Sequence, residues 1–312
     1  MEFTCFGEYL ENLREKQKIS RSVLCDGICS EKQLYRIEKS ESEPSIYILN
    51  QLSLRLNVDL LEHYKTYNIH SLGGFKEISE MNDYIHNYDA RGLKRYLNSL
   101  TFSDYTSNSL FTENYYYAQA ICFYKLDKDD DTALFYINKG LNMETNASEI
   151  DVSNIAFSNC GYALLNLKAS ILLNQDKYRD AVELFLEMKS SLDKYFVNSK
   201  TNTYLTPNYL HKIYTTVLSN IILCNYYLGE YEKTIEFADC ATSYAVKNYC
   251  LLHLQVALDY KARAVYQKGD KNEAARLFNA AITLYLLDDV YKDYVEDLKH
   301  IIEEDYPEVT VI

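Results

Sequence analysis

The chain has 312 residues, 47% of them hydrophobic, with 32 Lys and Arg against 45 Asp and Glu and a formal charge of −13. That is enough apolar material for a sizeable core in about two domains, and nine Gly with three Pro leave so few breakers that long helices, and an all-α protein, are expected. No apolar run approaches the ~20 residues of a membrane span, Met1 to Leu10 lacks the basic start and apolar stretch of a secretion signal, and a cytosolic protein with eight reduced, mainly core cysteines is predicted.

Residues 3 to 64 pattern as five short helices, at about 6 to 16, 20 to 28, 30 to 38, 45 to 56 and 58 to 64. The second and third read as a helix-turn-helix. Ser20 can cap the first of the pair, with Val23 and Leu24 turned inward; Gly27 permits the sharp turn; Ser30 can cap the second, where Leu34 and Ile37 form an apolar stripe. Pro44-Ser45 marks another helix entrance. Such a pair presents its second helix to a DNA major groove, where all four base pairs differ in their hydrogen-bonding edges. Lys32, Gln33 and Arg36 are the donors placed against base edges, and Arg21 can reach a phosphate or base from the start of the preceding helix. Gln33 has an alternative as a capping-box residue folded back on Ser30. Residues 1 to 64 hold eight basic against eleven acidic residues, but Arg14 to Lys39 holds seven against four, so few phosphate contacts and a reliance on dimerisation are expected. Cys25 and Cys29 are four apart with no His at ligand spacing, which argues against zinc.

Ser71 to Gly74 breaks the pattern, with Gly73-Gly74 as a hinge. Beyond it come helix pairs joined by a recurring polar turn, seen at Asn174 to Ala181, Leu228 to Thr234 and Lys268 to Ala274, and more loosely at Lys128 to Ala133 and His86 to Leu93. The early small residue of each second helix, Ala181, Thr234 or Ala274, can sit against the helix before it. Taking Lys128, Asp176, Gly229 and Gly269 as equivalent gives steps of 48, 53 and 40 residues, longer than the ~34 of a tetratricopeptide repeat. First helices such as Ile150 to Asn174 and Leu205 to Leu228 are therefore read as extended, and the last helix as about Asp289 to Glu304. Five pairs and that helix predict a right-handed α-superhelix with a concave face.

Leu13-Arg14, Ser20, Leu24, Gly27-Ile28, Leu34 to Glu38, Pro44-Ser45 and Leu49 together resemble the Cro/C1-type helix-turn-helix, with Arg21 standing where that family usually has Gln. This domain, a hinge and degenerate tetratricopeptide-like pairs, in that order, resemble the RRNPP group of quorum-sensing regulators, of the Rgg and PlcR type. The resemblance implies a helix-turn-helix domain over residues 1–66, a linker over 67–74 and a peptide-binding, dimerising repeat domain over 75–312. It implies a cytosolic homodimer with double-stranded DNA and a short signalling peptide as partners, no membrane and no cofactor. Within the first domain it implies that Arg14 pairs with Glu38 in a structural role.

The inward-facing register of tetratricopeptide first helices selects Tyr115, Gln119 and Cys122, then Asn166 and Ser170, then Asn220 and Leu223, then Asp259, Tyr260 and Arg263, with Asn159 added on the extended third pair. Asn offers both a donor and an acceptor, so Asn159, Asn166 and Asn220 can bond the backbone of an extended peptide; they can also brace neighbouring helices. Arg263 can take a carboxylate of the peptide or pair with Asp259 on its own helix. Six dispersed His and the lack of a Walker, HExxH or GxGxxG run argue against an enzyme. The alternatives are a helical-repeat adaptor with little DNA affinity, and a Rap-like or phage communication receptor.

Overall fold

Serine hydroxyls start three of the first five helices. In the computed structural model, which describes residues 5–69, 74–105, 108–145, 150–197, 208–287 and 291–311, Ser20 Oγ accepts from Val23 N–H at 3.3 Å, Ser30 Oγ from Gln33 N–H at 3.2 Å and Ser45 Oγ from Ile48 N–H at 3.3 Å. Each satisfies an orphan donor at a helix N-terminus. The helices are α1 (Phe6–Lys16), α2 (Arg21–Cys25), α3 (Glu31–Glu38), α4 (Ile46–Leu56) and α5 (Leu60–Ile69). They close over one core that includes Phe6, Leu10, Leu24, Leu34, Ile37, Leu49, Leu52 and Leu60.

Two details of this bundle depart from the sequence pattern. The second helix spans only five residues, and Val23, expected to face inward, is 61% exposed. So short a helix has room for one inward stripe, which Leu24 and Cys25 occupy. Gly27 does take the left-handed conformation, with φ of 69°, which only glycine adopts without steric cost. Gly7 serves a different end: a Cβ there would lie 2.5 Å from the Glu38 carbonyl oxygen and 2.6 Å from that of Ile37. Its bare Cα lets α1 approach the last turn of α3.

Contacts divide the chain into two units, Met1–Tyr88 with Ser99–Phe111, and Asp89–Asn98 with Thr112–Ile312. Helix α6 (Phe75–His86) groups with the first unit, and nearly all of α7 (Ala90–Ser99) with the second. The contact boundary therefore falls after α6 rather than at the expected hinge. Gly73 lies outside the described residues, and Gly74, at φ 101°, sits at the start of α6.

The second unit repeats one solution. Helices α8 (Ser109–Cys122), α10 (Asn159–Asn174), α12 (Asn208–Tyr227) and α14 (Leu254–Gln267) alternate with α9 (Asp130–Glu144), α11 (Tyr178–Leu192), α13 (Tyr231–Asn248) and α15 (Lys271–Tyr285), and α16 (Lys292–Asp305) follows. At every turn inside a pair the chain reverses through one left-handed residue, Lys128, Asp176, Gly229 and Gly269, with φ of 54°, 56°, 74° and 94°. These are the four positions matched in the sequence. Asp129 and Asp270 then cap the next helix by accepting from Thr132 and Glu273 N–H, both at 3.0 Å. Ala133, Ala181, Thr234 and Ala274, early in the second helices, are fully buried, because a larger side chain there would push paired helices apart.

The third pair starts later than its sequence pattern suggests. Asp151 accepts from Asn154 in a short 3₁₀ turn, Val152–Asn154, and α10 begins at Asn159 behind the cap of Ser158. Residues 198–207, which include the predicted start of the fourth pair, lie outside the described residues, as do 288–290 ahead of α16. Four cysteines are buried (Cys25, Cys122, Cys160, Cys224) and Cys5, Cys29, Cys240 and Cys250 are partly exposed, so the thiols are less uniformly core residues than predicted.

Candidate functional sites

Helix α3 divides its side chains cleanly. Leu34, Ile37 and Glu38 are buried, while Lys32, Gln33, Tyr35 and Arg36 are exposed on the opposite side. A carboxylate buried at the inner face requires compensation, and two arginines supply it. Arg14 Nε donates to Glu38 Oε1 at 2.6 Å, and a second Arg14 nitrogen donates to the Ile19 carbonyl at 3.1 Å. Arg21 Nε donates to the other Glu38 oxygen. Arg21 also donates to Glu11 Oε1 at 2.6 Å, and Lys39 Nζ donates to Glu11 Oε2 at 2.7 Å. Lys32 and Arg36 form no ion pair among the described residues and remain open to a ligand.

Arg21 therefore differs from its predicted place as a direct DNA donor. Two carboxylates hold its guanidinium, which lies 5.3 Å above the centre of the Tyr35 ring. The partner helices α1 and α3 decide this, since only the folded chain sets Glu11 and Glu38 beside Arg21. One residue of this unit escaped sequence reasoning altogether. Arg55, on α4, donates through one guanidinium nitrogen to the carbonyls of Val23, Leu24 and Asp26 at 3.1, 2.9 and 2.7 Å. It closes the C-terminal end of α2 where no residue of α2 itself can, and only its basic charge in a helix could have hinted at it.

In the second unit α10, α12 and α14 pack side by side, and the structure brings two of the predicted asparagines together: Asn220 Nδ2 donates to Asn166 Oδ1 at 3.3 Å. Asn159 is exposed in the first turn of α10. Ser170 Oγ donates to the Asn166 carbonyl of its own helix at 2.8 Å. Gln119 Nε2 donates to Tyr115 Oη at 2.8 Å. Cys122 is buried, with its thiol directed at the Ala90 carbonyl; it belongs to the core and not to an open face.

Asp259 and Arg263 also sit differently from a peptide contact. Asp259 is fully buried and accepts from Arg263 Nε at 2.7 Å and from Tyr294 Oη at 3.2 Å. The Arg263 guanidinium lies over the rings of Tyr260 and Tyr306, 5.3 and 5.8 Å from their centres. Burial pushes the Asp259 carboxyl up, while Arg263 and Tyr294 oppose that shift. The pair braces α14 from within. Of the two alternatives for Arg263 the structure shows the pairing with Asp259, in the interior and with tyrosines close by.

Two further features of the second unit went unpredicted. Thr216, one turn before Asn220, bonds His253 Nε2 at 3.1 Å, and burial lowers the His253 pKa. Tyr178 and Tyr227 stack with centres 5.0 Å apart and planes 16° from parallel, and Tyr260 meets Tyr227 at 6.1 Å. The composition of 31 Tyr and no Trp was the only signal for such clusters. Among the described residues no group of His, Cys, Asp and Glu could hold a metal ion, and no helix is long and apolar enough to cross a membrane.

No protein-family model and no curated protein matches the sequence. Solved structures do match. The chain is similar to PlcR of Bacillus thuringiensis, solved in complex with the peptide PapR7 and DNA, with a TM-score of 0.68 and 16% identity over 95% of this chain and 99% of that one. It is similar to the SHP pheromone receptor Rgg2 of Streptococcus dysgalactiae, at 0.59 and 16% over 95% and 99%. A point mutant of PrgX matches at 0.61 and 14%, over 96% and 95%. The chain thus has, over nearly its whole length, the fold of the RRNPP-type regulators.

Proposed function

We propose that the chain is a cytosolic, homodimeric transcription regulator that binds double-stranded DNA through its first unit and a short signalling peptide through its second, and that it is not an enzyme. The observation that carries this reading is on α3. Its inner side is locked by the Arg14–Glu38 pair at 2.6 Å, and Lys32, Gln33 and Arg36 stand exposed on its outer side. A rigid helix with free donors on one face suits recognition of base edges in a major groove. For the second unit the support is the Asn166–Asn220 contact across two neighbouring helices, with Asn159 and Gln119 as further polar groups of the same register. Asp259 and Arg263 act there as a brace, and Arg21 acts behind the DNA face. The fold likeness adds support, since PlcR has been solved with both a peptide and DNA.

The test is selection of bound sequences from a randomised duplex pool with the full-length chain, followed by anisotropy on the enriched duplex. Lys32→Ala and Arg36→Ala should each cost about 1–3 kcal/mol of specific affinity. Absence of any enriched sequence would rule out the DNA-reading role.

A further inference from the structure

One exposed side chain of α3 has no part in base recognition as proposed. Tyr35 is 43% exposed, although Leu34 and Ile37 beside it are buried, so its ring is not a core residue. At about 100° per residue, Tyr35 lies roughly a quarter-turn from Arg36, off the centre of the stripe formed by Lys32, Arg36 and Lys39. The flank it occupies is the one beside the start of α2, where Arg21 covers its ring at 5.3 Å. Arg21 cannot drift, being held by Glu11 at 2.6 Å and by Glu38. Lys39, one turn further along α3, donates to the other oxygen of the same Glu11 at 2.7 Å, so a second cation stands close to Arg21. The Tyr35 hydroxyl makes no hydrogen bond among the described residues.

A ring covered by a held arginine, with an idle hydroxyl and a second cation on the same carboxylate, at the rim of a DNA-facing helix, is suited to an anionic oxygen. Base edges lie over the centre of such a helix, and backbone phosphates lie along its flanks. Resting on the DNA-binding reading, we propose that Tyr35 is a DNA-backbone contact: its hydroxyl donates to a phosphate of the strand that runs beside α2, and Arg21 is the positioning residue that holds its ring.

The experiment uses the full-length chain and short fluorescein-labelled duplexes of several unrelated sequences, with anisotropy at low salt. Tyr35→Phe keeps the ring and its stacking with Arg21 and removes the hydroxyl alone. It should weaken binding roughly three- to tenfold, by the same factor on every duplex because a phosphate carries no sequence information, with an unchanged thermal melt. Arg21→Gln should lose less affinity in the Tyr35→Phe background than in the parent, the signature of two residues acting as one. Equal binding by parent and Tyr35→Phe overturns the proposal and leaves the DNA reading intact. A loss confined to one sequence makes Tyr35 a base contact and overturns the phosphate assignment. Additive losses overturn the role given to Arg21. If the parent binds no duplex, the DNA reading fails and Tyr35 with it.

Discussion

At the residue scale, two carboxyl groups meet where α8, α9 and α10 converge. Glu113 is buried and accepts from Ser158 Oγ at 3.2 Å, while Ser158 N–H donates to both oxygens of Glu144 at 3.1 and 3.2 Å. A Cβ on Gly161 would collide with Glu144, so the glycine makes room for that carboxylate. Burial first, then the hydrogen bond and repulsion from Glu144, push the Glu113 carboxyl up to about 8 from 4.5. The folded state thus keeps a proton that the unfolded chain has already lost. Stability from this group is complete below the unfolded value and is lost as pH rises from 4.5 towards about 8, with a slope of up to about 1.4 kcal/mol per pH unit. Urea midpoints of the second unit should fall across that window. In Glu113→Gln the slope should flatten; an identical slope in the variant would assign it to other groups.

At the scale of elements, the short α2 depends on a side chain from α4. Arg55 satisfies three carbonyls at its C-terminal end, and Arg55→Met keeps the apolar stem while leaving them to water. The first unit should lose about 1–3 kcal/mol, and hydrogen exchange should quicken first at the amides around Gly27; uniform exchange across the unit would place the role of Arg55 elsewhere. Between α10 and α12 the matter is one of ligand contact against bracing. Asn166 and Asn220 bond each other through one donor and one acceptor, which leaves further donor and acceptor capacity on both amides. With about 0.5–1.5 kcal/mol per bond, changing both to Ala should weaken peptide binding roughly tenfold to a thousandfold. Helicity should survive, Ala being the better helix former. Calorimetric titration with the cognate peptide checks this, and full affinity in a folded double variant would make the two asparagines braces only.

At the scale of the molecule, two readers must stand about 34 Å apart to address half-sites one helical turn apart, and one short bundle offers little surface for holding them. The second unit exposes Val246, Tyr249, Leu251 and Leu287, large apolar side chains that solvent does not favour. The full-length chain should therefore sediment at twice its 36.4 kDa at micromolar concentration. A monomer there would count against the homodimer and against cooperative reading of paired half-sites.

The sequence by itself determined whatever depends on neighbours within a few residues. Ser20, Ser30 and Ser45 cap helices because a hydroxyl reaches the amide three residues on, and Lys128, Asp176, Gly229 and Gly269 reverse the chain because a polar turn before a new helix needs one left-handed residue. The register that selected Asn166 and Asn220 came from the resemblance to tetratricopeptide first helices, counted back from the small residue of the helix that follows. Tertiary structure alone decided which charges were spent. Arg21 is 10 residues from Glu11 and 17 from Glu38, Arg55 is about 30 from the carbonyls it closes, and Arg263 is enclosed by a tyrosine 43 positions further along the chain, Tyr306. A lone basic residue in a helix pattern looks the same whether it will meet a phosphate or a buried carboxylate. The packing of distant helices settles that choice, because burying a charge is tolerable only where its partner is also brought in.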